Sequence, residues 1–528
     1  MKKLPLGSQT FSKLIKGNYV YVDKTEYIYR LIQSDCYFFS RPRRFGKSIL
    51  CSTLEELFKG NKELFKDLWI DKNTDYSWPV HPVIHIDFNR ITIDSPEALY
   101  ESLMRYLNGI AIEEGIEQLE MIHPGEMLYI LTLKLQKKYN KNVVLIIDEY
   151  DRAILDNLDN EALVFKMQEA LRRFYVFIKS FDKLLRFVFI TGVSRFSKTS
   201  IFSGLNQIED GSMDPQFAHL VGYTDQELGT FFSEHIESAS ANSEYNLDIF
   251  KKLIKEWYNG YRFWSNPSRK IILEELVRIY NPYSVLNIIK KSEFKDYWFE
   301  SGTPTFLLKL LKSGKYSIKD LDLLQASQSE LSTFDPDQLP LTTLLFQTGY
   351  LTIESYDDES RNFLLKYPNL EVQEGMSYQI LVWLSKLKNA QINDYLKVLH
   401  ESLQKYLLDQ FIQKLKEFYV QIPNTIHIKQ EKYFQTIFYT ILKLIGVQIE
   451  VEVSTNIGRI DAVIKTEKYL YIIEFKLEKS ATVALEQIES KKYVEQYLID
   501  RRPITLIGIT FSEKERNISD YSFKELKK

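Results

Sequence analysis

The most constraining feature of this chain is a short one. Val143-Val144-Leu145-Ile146-Ile147 is an uninterrupted apolar run, closed by Asp148-Glu149-Tyr150-Asp151. A strand apolar on both sides must be covered on both faces, the condition met in a parallel sheet between layers of helix. Leu185-Arg186-Phe187-Val188-Phe189-Ile190 is a second such strand and leads into the polar Thr191-Gly192-Val193-Ser194-Arg195. Pro82-Val83-Ile84-His85-Ile86-Asp87-Phe88 is a third, again ending near a carboxylate. Helical stretches separate them, one over 161–179. Strands alternating with helices, each ending in polar groups, predict a doubly wound α/β sheet with one ligand edge.

Upstream, Arg41-Pro42-Arg43-Arg44-Phe45-Gly46-Lys47-Ser48 lies between the apolar Cys36-Tyr37-Phe38-Phe39 and an amphipathic helix predicted over 49–58. Strand, loop, then helix opening on Gly-Lys-Ser is how a phosphate cradle is assembled. Backbone N–H groups and the helix N-terminus face the anion, Lys47 reaches the terminal phosphates, and the Ser48 hydroxyl ligates magnesium. The candidate cradle is therefore Arg44, Phe45, Gly46, Lys47 and Ser48. Arg41 stands where the usual loop has its first glycine. A basic loop capping an ordinary helix is the competing reading, and the carboxylates after Ile147 weigh against it, because a parallel sheet brings its strand ends to one edge.

A chain of 528 residues is too long for one core and implies roughly three or four domains. Its 45% hydrophobic and 26% charged residues are those of a globular protein. The net charge of −3 carries no sign of nucleic acid, but 386–528 holds 23 Lys and Arg against 19 Asp and Glu, a balance of +4. That permits DNA contact without requiring it. Cys36 and Cys51 are the two cysteines; they cannot form a zinc site by themselves and fit a reducing compartment. With no apolar signal core and no run near 18 apolar residues, the expectation is a cytoplasmic protein without membrane contact.

Asn18-Tyr19-Val20-Tyr21-Val22-Asp23-Lys24-Thr25 reads as a short strand leading into a helix. From about 225 the pattern is helical, interrupted by the aromatic turns Trp257-Tyr258-Asn259-Gly260-Tyr261-Arg262-Phe263 and Asn281-Pro282-Tyr283-Ser284. Residues 340–385 read as helix, two-stranded hairpin and helix, a winged-helix-like order taken as a packing region. Two amphipathic helices over 386–419 lead into the last part of the chain.

There, a helix is predicted over 431–444, starting at Glu431, and 447–453 alternates strictly between apolar and polar residues. Ile460-Asp461-Ala462-Val463-Ile464 and Tyr469-Leu470-Tyr471-Ile472-Ile473-Glu474-Phe475-Lys476 form a hairpin. Period two places Glu474 and Lys476 on one face. An Asp on one strand, with a Glu and a Lys two apart on its partner, suits magnesium and an activated water: the cation takes one or two carboxylates, and the lysine orients or deprotonates the water. A solvated amphipathic hairpin is the alternative. A further helix is predicted over 484–497.

Together these segments resemble the AAA-ATPase-like proteins of bacteria and mobile elements that carry a C-terminal PD-(D/E)XK nuclease domain. The resemblance covers nearly the whole chain. It rests on Tyr21-Val22-Asp23-Lys24-Thr25, the loop from Arg41 to Ser48, Ile84-His85-Ile86-Asp87, Asp148-Glu149-Tyr150-Asp151, Thr191-Gly192-Val193-Ser194-Arg195, Asn259-Gly260-Tyr261-Arg262-Phe263, Gly458-Arg459-Ile460-Asp461 and Glu474-Phe475-Lys476. It implies ATP and Mg2+ as cofactors, with Lys47 and Ser48 on phosphates and metal, Asp148 supporting that metal, and Glu149 activating water. Thr191 or Ser194 would sense the terminal phosphate, and Arg195 would serve as an arginine finger. In the last domain it assigns Asp461 and Glu474 to metal, Lys476 to water and Glu431 to the helical carboxylate. Gln487 and Tyr493 would complete that site. The Pro-Asp that names the superfamily is absent; Arg459-Ile460-Asp461 stands instead.

The expected organisation is an AAA-ATPase-like P-loop domain over 1–225, a helical and winged-helix-like region over 226–385, and a restriction-endonuclease-like α/β domain over 386–528. The expected partner is DNA, with RNA less favoured and homo-oligomerisation left open. A nucleotide-switched interaction protein with a catalytically inactive nuclease fold is the rival reading.

Overall fold

The computed structural model of the chain describes residues 1–120, 122–158, 160–195, 208–264, 277–300, 325–332, 340–357, 359–385, 387–422, 431–445, 447–454 and 459–526. The chain divides into two compact units, Met1–Val372 and Gln373–Lys528.

In the first unit the apolar runs become β1 (Cys36–Ser40), β2 (Val83–Asp87), β3 (Val143–Asp148) and β4 (Leu185–Gly192). A two-residue strand, β5 (Glu209–Asp210), completes a sheet of order β2-β3-β4-β1-β5 in which every neighbouring pair is parallel. β5 is too short to leave a periodic signal, and the sequence reading lacked it. Alternate residues of each strand face opposite ways. Ile84, Ile86, Leu145, Ile147, Val188 and Ile190 join a core built with the helices Pro96–Glu113, Pro124–Tyr139 and Glu161–Ser180. The other face receives the helix Lys47–Phe58: its Phe58 ring centroid lies 5.4 Å from that of Phe187, and its Glu55 hydrogen-bonds His85. The helix after β1 thus covers one face and those after β2 and β3 the other, which makes the sheet doubly wound. At about 1.5–3 kcal/mol for each fully buried aliphatic side chain, the two-sided burial of β3 outweighs any local preference of its residues.

The register places Asp87 beside Asp148 and Ser40 beside Gly192 at the C-terminal edge of this sheet. Residues 18–24 do not form the expected strand. They make one isolated bridge, Lys3 to Tyr19, while Val20 and Val22 are buried against the helices Ser233–Ala241 and Leu247–Tyr258. Helical packing, not a sheet partner, accounts for that apolar pattern. Farther on, the helix Leu341–Thr348, the hairpin β7 (Thr352–Asp357) and β8 (Asn362–Lys366), and the helix Leu370–Ser385 follow the winged-helix-like order. A short β6 (Gln325–Ser327) pairs with β8.

The second unit contains the helices Asn389–Gln404, Leu408–Val420 and Glu431–Leu444. Its sheet comprises β9 (Gln448–Ser454), β10 (Arg459–Lys465), β11 (Leu470–Leu477), β12 (Ile504–Ser512) and β13 (Asn517–Leu526), in the order β13-β12-β11-β10-β9. Only β11 and β12 are parallel, and the helix Ala481–Ser490 joins them. That helix ends earlier than expected; Glu495–Tyr497 is a separate short turn of 3-10 helix. β12 and β13 were absent from the sequence reading, although Ile504-Thr505-Leu506-Ile507-Gly508-Ile509 resembles β3 in character.

Candidate functional site

At the edge of the first sheet, Gly46 adopts φ +100°, a left-handed conformation open to glycine, and caps the helix that starts at Lys47. Arg44 also has positive φ, +71°, and its guanidinium carbon lies 4.9 Å from the ring centroid of Tyr283. Phe45 is buried edge-on against Tyr261 and Phe263, with centroids 4.9 and 5.6 Å away. The aromatic turn at 257–263 is therefore a clamp on the phosphate loop. Arg41, in place of a glycine, is 2% exposed and donates to the carbonyls of Ser40, Ser212 and Phe217. Its guanidinium also lies over Phe39, 4.4 Å from the ring centroid. Arg41 braces the loop from behind.

Lys47 is 3% exposed; its Nζ donates to the carbonyls of Arg41 at 3.0 Å and Pro42 at 3.2 Å, and lies 3.1 Å from Glu149 Oε1. Ser48 hydrogen-bonds the Asp148 carboxylate, which burial and then the neighbouring Glu149 push up to about 6. Glu149 itself sits at φ +55°, unusual for a residue with a Cβ. The geometry thus brings together Lys47, Ser48, Asp148 and Glu149 from the ends of β1 and β3.

The residues after β4 behave differently. The Thr191 hydroxyl donates to the carbonyl of Phe39 at 2.6 Å, tying β4 to β1. The Ser194 hydroxyl and the backbone N–H groups of Val193 and Ser194 donate to buried Asp151. Arg195 pairs with Asp210 of β5, so its guanidinium is engaged inside its own chain. In the sequence Asp151 stands only as part of an acidic cluster; in the fold it binds the end of β3 to the turn after β4. Gly192 makes room for it, since an added Cβ would lie 2.3 Å from Asp151 Oδ1.

In the second unit, β10 and β11 run antiparallel with Ala462 opposite Ile473, which brings Asp461 next to Glu474. Asp461 Oδ2 accepts from the Phe475 N–H at 2.8 Å. Glu474 is 2% exposed; its Oε1 accepts from Lys476 Nζ at 2.9 Å and from the Gln487 amide, while Oε2 is buried without a hydrogen-bond partner. Burial, then the charge of Asp461, raise the Glu474 carboxyl to about 7. Two adjacent carboxylates, one with a bare buried oxygen, fit a divalent cation with hard oxygen ligands. Gln487 reaches this cluster from the helix Ala481–Ser490. Tyr493 does not lie on that helix: it is 2% exposed and packs in the apolar core with Ile488 and Leu506. Glu431 opens the helix Glu431–Leu444, but its side chain lies outside the described residues, as does Gly458.

A parallel sheet with a Gly-Lys-Ser loop at its edge, followed by a mixed sheet bearing an Asp, Glu and Lys cluster, defines a P-loop NTPase fold joined to a nuclease-type fold. Residues 5–202 match the family model described as Predicted AAA-ATPase, and 429–521 match that of the PD-(D/E)XK nuclease superfamily. An uncharacterized protein in the vnfD 5' region of Azotobacter chroococcum mcd 1 is 33% identical over 548 residues, spanning 99% of each chain. The chain belongs to this family of AAA-ATPase-like proteins with a C-terminal PD-(D/E)XK domain. Among solved structures, the Aeropyrum pernix ORC1 protein in complex with DNA aligns over 70% of this chain and 98% of its own, at 12% identity and TM-score 0.25. Cdc6p from Pyrobaculum aerophilum aligns over 67% and 93%, also at 12% identity and TM-score 0.25. Among the described residues, no helix is long and apolar enough to cross a membrane.

Proposed function

We propose that the protein binds and hydrolyses ATP and cleaves DNA in a metal-dependent reaction, with nucleotide-driven movement gating cleavage or helping to remodel DNA. A role in defence against foreign DNA or in mobile-element biology would suit such an architecture. The observation that carries the nuclease half is the bare Oε2 of Glu474 beside Asp461, with Lys476 bonded to the other oxygen of the same carboxylate.

At the first site Lys47 would exchange its loop carbonyls and Glu149 for phosphate oxygens, and Ser48 with Asp148 would hold Mg2+. Glu149, released from Lys47, would accept a proton from the attacking water. Thr191, Ser194 and Arg195 would act on the nucleotide only if their present bonds to Phe39, Asp151 and Asp210 were exchanged. At the second site Asp461 and Glu474 would hold Mg2+, Lys476 would orient the water, and Gln487 would keep Glu474 in place. A divalent cation there supplies hydroxide near neutral pH and stabilises charge on a scissile phosphate. The working boundaries for these activities are 1–225, 226–385 and 386–528.

Two variants separate the halves. Lys47→Ala should abolish ATP turnover in a folded chain, and Asp461→Ala should abolish Mg2+-dependent cleavage of plasmid or linear DNA. Wild-type protein that cuts neither DNA nor RNA under varied metals and ATP would leave the interaction-protein reading in its place.

A further inference from the structure

Beneath the phosphate loop, on the face of the sheet covered by the helix Lys47–Phe58, three side chains from three elements converge. One ligand atom each from Cys51, His85 and Asp148 lies within 4.8 Å of the other two. Cys51 comes from that helix, His85 from β2 and Asp148 from the end of β3. Cys51 is fully buried and Asp148 is 1% exposed. The cluster also holds two orphans, because His85 Nε2 and Asp148 Oδ1 are buried polar atoms with no hydrogen-bond partner. A buried polar atom left unpaired is costly, so two of them around one thiol call for a shared partner.

His85 is held in the manner of a metal ligand. Its Nδ1 lies 2.9 Å from Glu55 Oε2, and Glu55 also accepts from Lys59 at 2.6 Å. With Nδ1 directed at the Glu55 carboxylate, Nε2 is the nitrogen left facing the cluster, the arrangement of a carboxylate–histidine–metal relay. Cys51 and Glu55 are four residues apart on one helix and so stand on the same face.

We propose that Cys51, His85 and Asp148 form a binding site for a borderline-soft divalent transition metal of the Zn2+ and Co2+ class, with Glu55 positioning His85. One sulfur, one imidazole and one carboxylate suit these ions and not Mg2+ or Ca2+, which prefer oxygen alone. In a tetrahedral site, ligand atoms are about 3.4–3.6 Å apart, so loading requires the ligand atoms to close by up to about 1.4 Å. Binding releases the thiol proton. Asp148 also accepts from Ser48, so the site would link transition-metal availability to the residues facing nucleotide. The site shares Asp148 with the Mg2+ proposed at the nucleotide edge, and its test reads neither ATP hydrolysis nor DNA cleavage.

The full chain carrying Cys36→Ala retains Cys51 as its sole thiol. Titrated with Co2+, this protein should develop a saturable thiolate-to-cobalt charge-transfer band in the near ultraviolet, with the intensity of one thiolate ligand per chain. Zn2+ should displace it and excess Mg2+ should not. Co2+ held by Asp461 and Glu474 contributes no such band, because no sulfur is involved. His85→Gln in the same background should weaken Co2+ binding at least tenfold, with circular dichroism unchanged. Absence of the band from folded Cys36→Ala protein at millimolar Co2+ overturns the proposal, as does unchanged affinity in folded His85→Gln. Should His85→Gln fail to fold, the Cys36→Ala titration decides the matter by itself.

Discussion

Lys47 Nζ lies 3.1 Å from Glu149 Oε1, joining the residue that opens the loop helix to the residue that follows β3. β1 and β3 are not neighbours, since β4 runs between them. The pair therefore spans a strand, and the loop carbonyls of Arg41 and Pro42 satisfy the remaining donors of Lys47. In this arrangement cation and anion neutralise each other in a nearly dry site, and a nucleotide bound as proposed would have to compete with Glu149 for Lys47.

Glu149→Gln follows directly. It removes the competing charge and the proposed proton acceptor together while keeping the shape. ATP affinity is expected to rise, and turnover to fall about 10²–10⁴-fold, the usual contribution of a positioned base. Fluorescent-nucleotide titration and phosphate release read the two effects. Unchanged turnover would remove Glu149 from the role of base.

Gly192→Ala tests the tie between β3 and β4. The added Cβ would meet Asp151 Oδ1 at 2.3 Å and the Tyr150 ring at 2.6 Å, atoms that are themselves buried. Overpacking of this kind costs about 1–3 kcal/mol, and the lower urea midpoint should be accompanied by weaker nucleotide binding. A midpoint equal to wild type would show that the turn has room to move.

If Glu474 holds the cation proposed for the second unit, it should set a pH dependence on that binding. With its carboxyl raised to about 7 by burial and Asp461, it holds a proton below that pH and must release it to ligate metal. Mg2+ affinity should climb by up to tenfold per pH unit below about 7 and level off above it. Calorimetry in buffers of different ionisation enthalpy should find proton release on binding at pH 6 and little at pH 8.5. Glu474→Gln should abolish the release.

Glu371 provides a stability test away from either site. It is fully buried, accepts from the Ser284 hydroxyl and the Trp298 N–H, and burial raises its carboxyl to about 8. Trp298 in turn donates its ring N–H to the carbonyl of Arg43 in the phosphate loop. The folded chain keeps the Glu371 proton over a range where the unfolded chain has lost it. This group's effect on stability is thus absent below about pH 4.5, grows as a penalty between 4.5 and 8, and is constant above. The slope is at most about 1.4 kcal/mol per pH unit. Glu371→Gln should flatten it, so that the variant's Tm relative to wild type is higher at pH 8.5 than at pH 5. Parallel Tm curves for the two proteins would refute this account.

What could be read from the chain alone was whatever short-range order encodes. The two-sided apolar run of β3 specified a buried parallel strand, Gly46-Lys47-Ser48 a phosphate loop, and period two the shared face of Glu474 and Lys476. Each signal lies within a few consecutive residues, where backbone geometry maps spacing onto direction. Residues 18–24 misled for the same reason, because alternation records burial and not the partner that provides it.

The rest required residues distant in sequence to meet. Nothing near Arg41 announces that it will lie under the loop bonded to Ser212 and Phe217, nor that Tyr261 and Phe263 will grip Phe45. Thr191 and Arg195 carry polar groups that could have faced a ligand, and the packed strands engaged them with Phe39 and Asp210. Cys51, His85 and Asp148 lie on three elements, each residue more than 30 positions from the next, and helix-on-sheet packing sets their separation. Local sequence determined which chemistry is present; the close-packed interior, which leaves each polar group only the partners within its reach, decided which groups are spent on structure and which remain to bind.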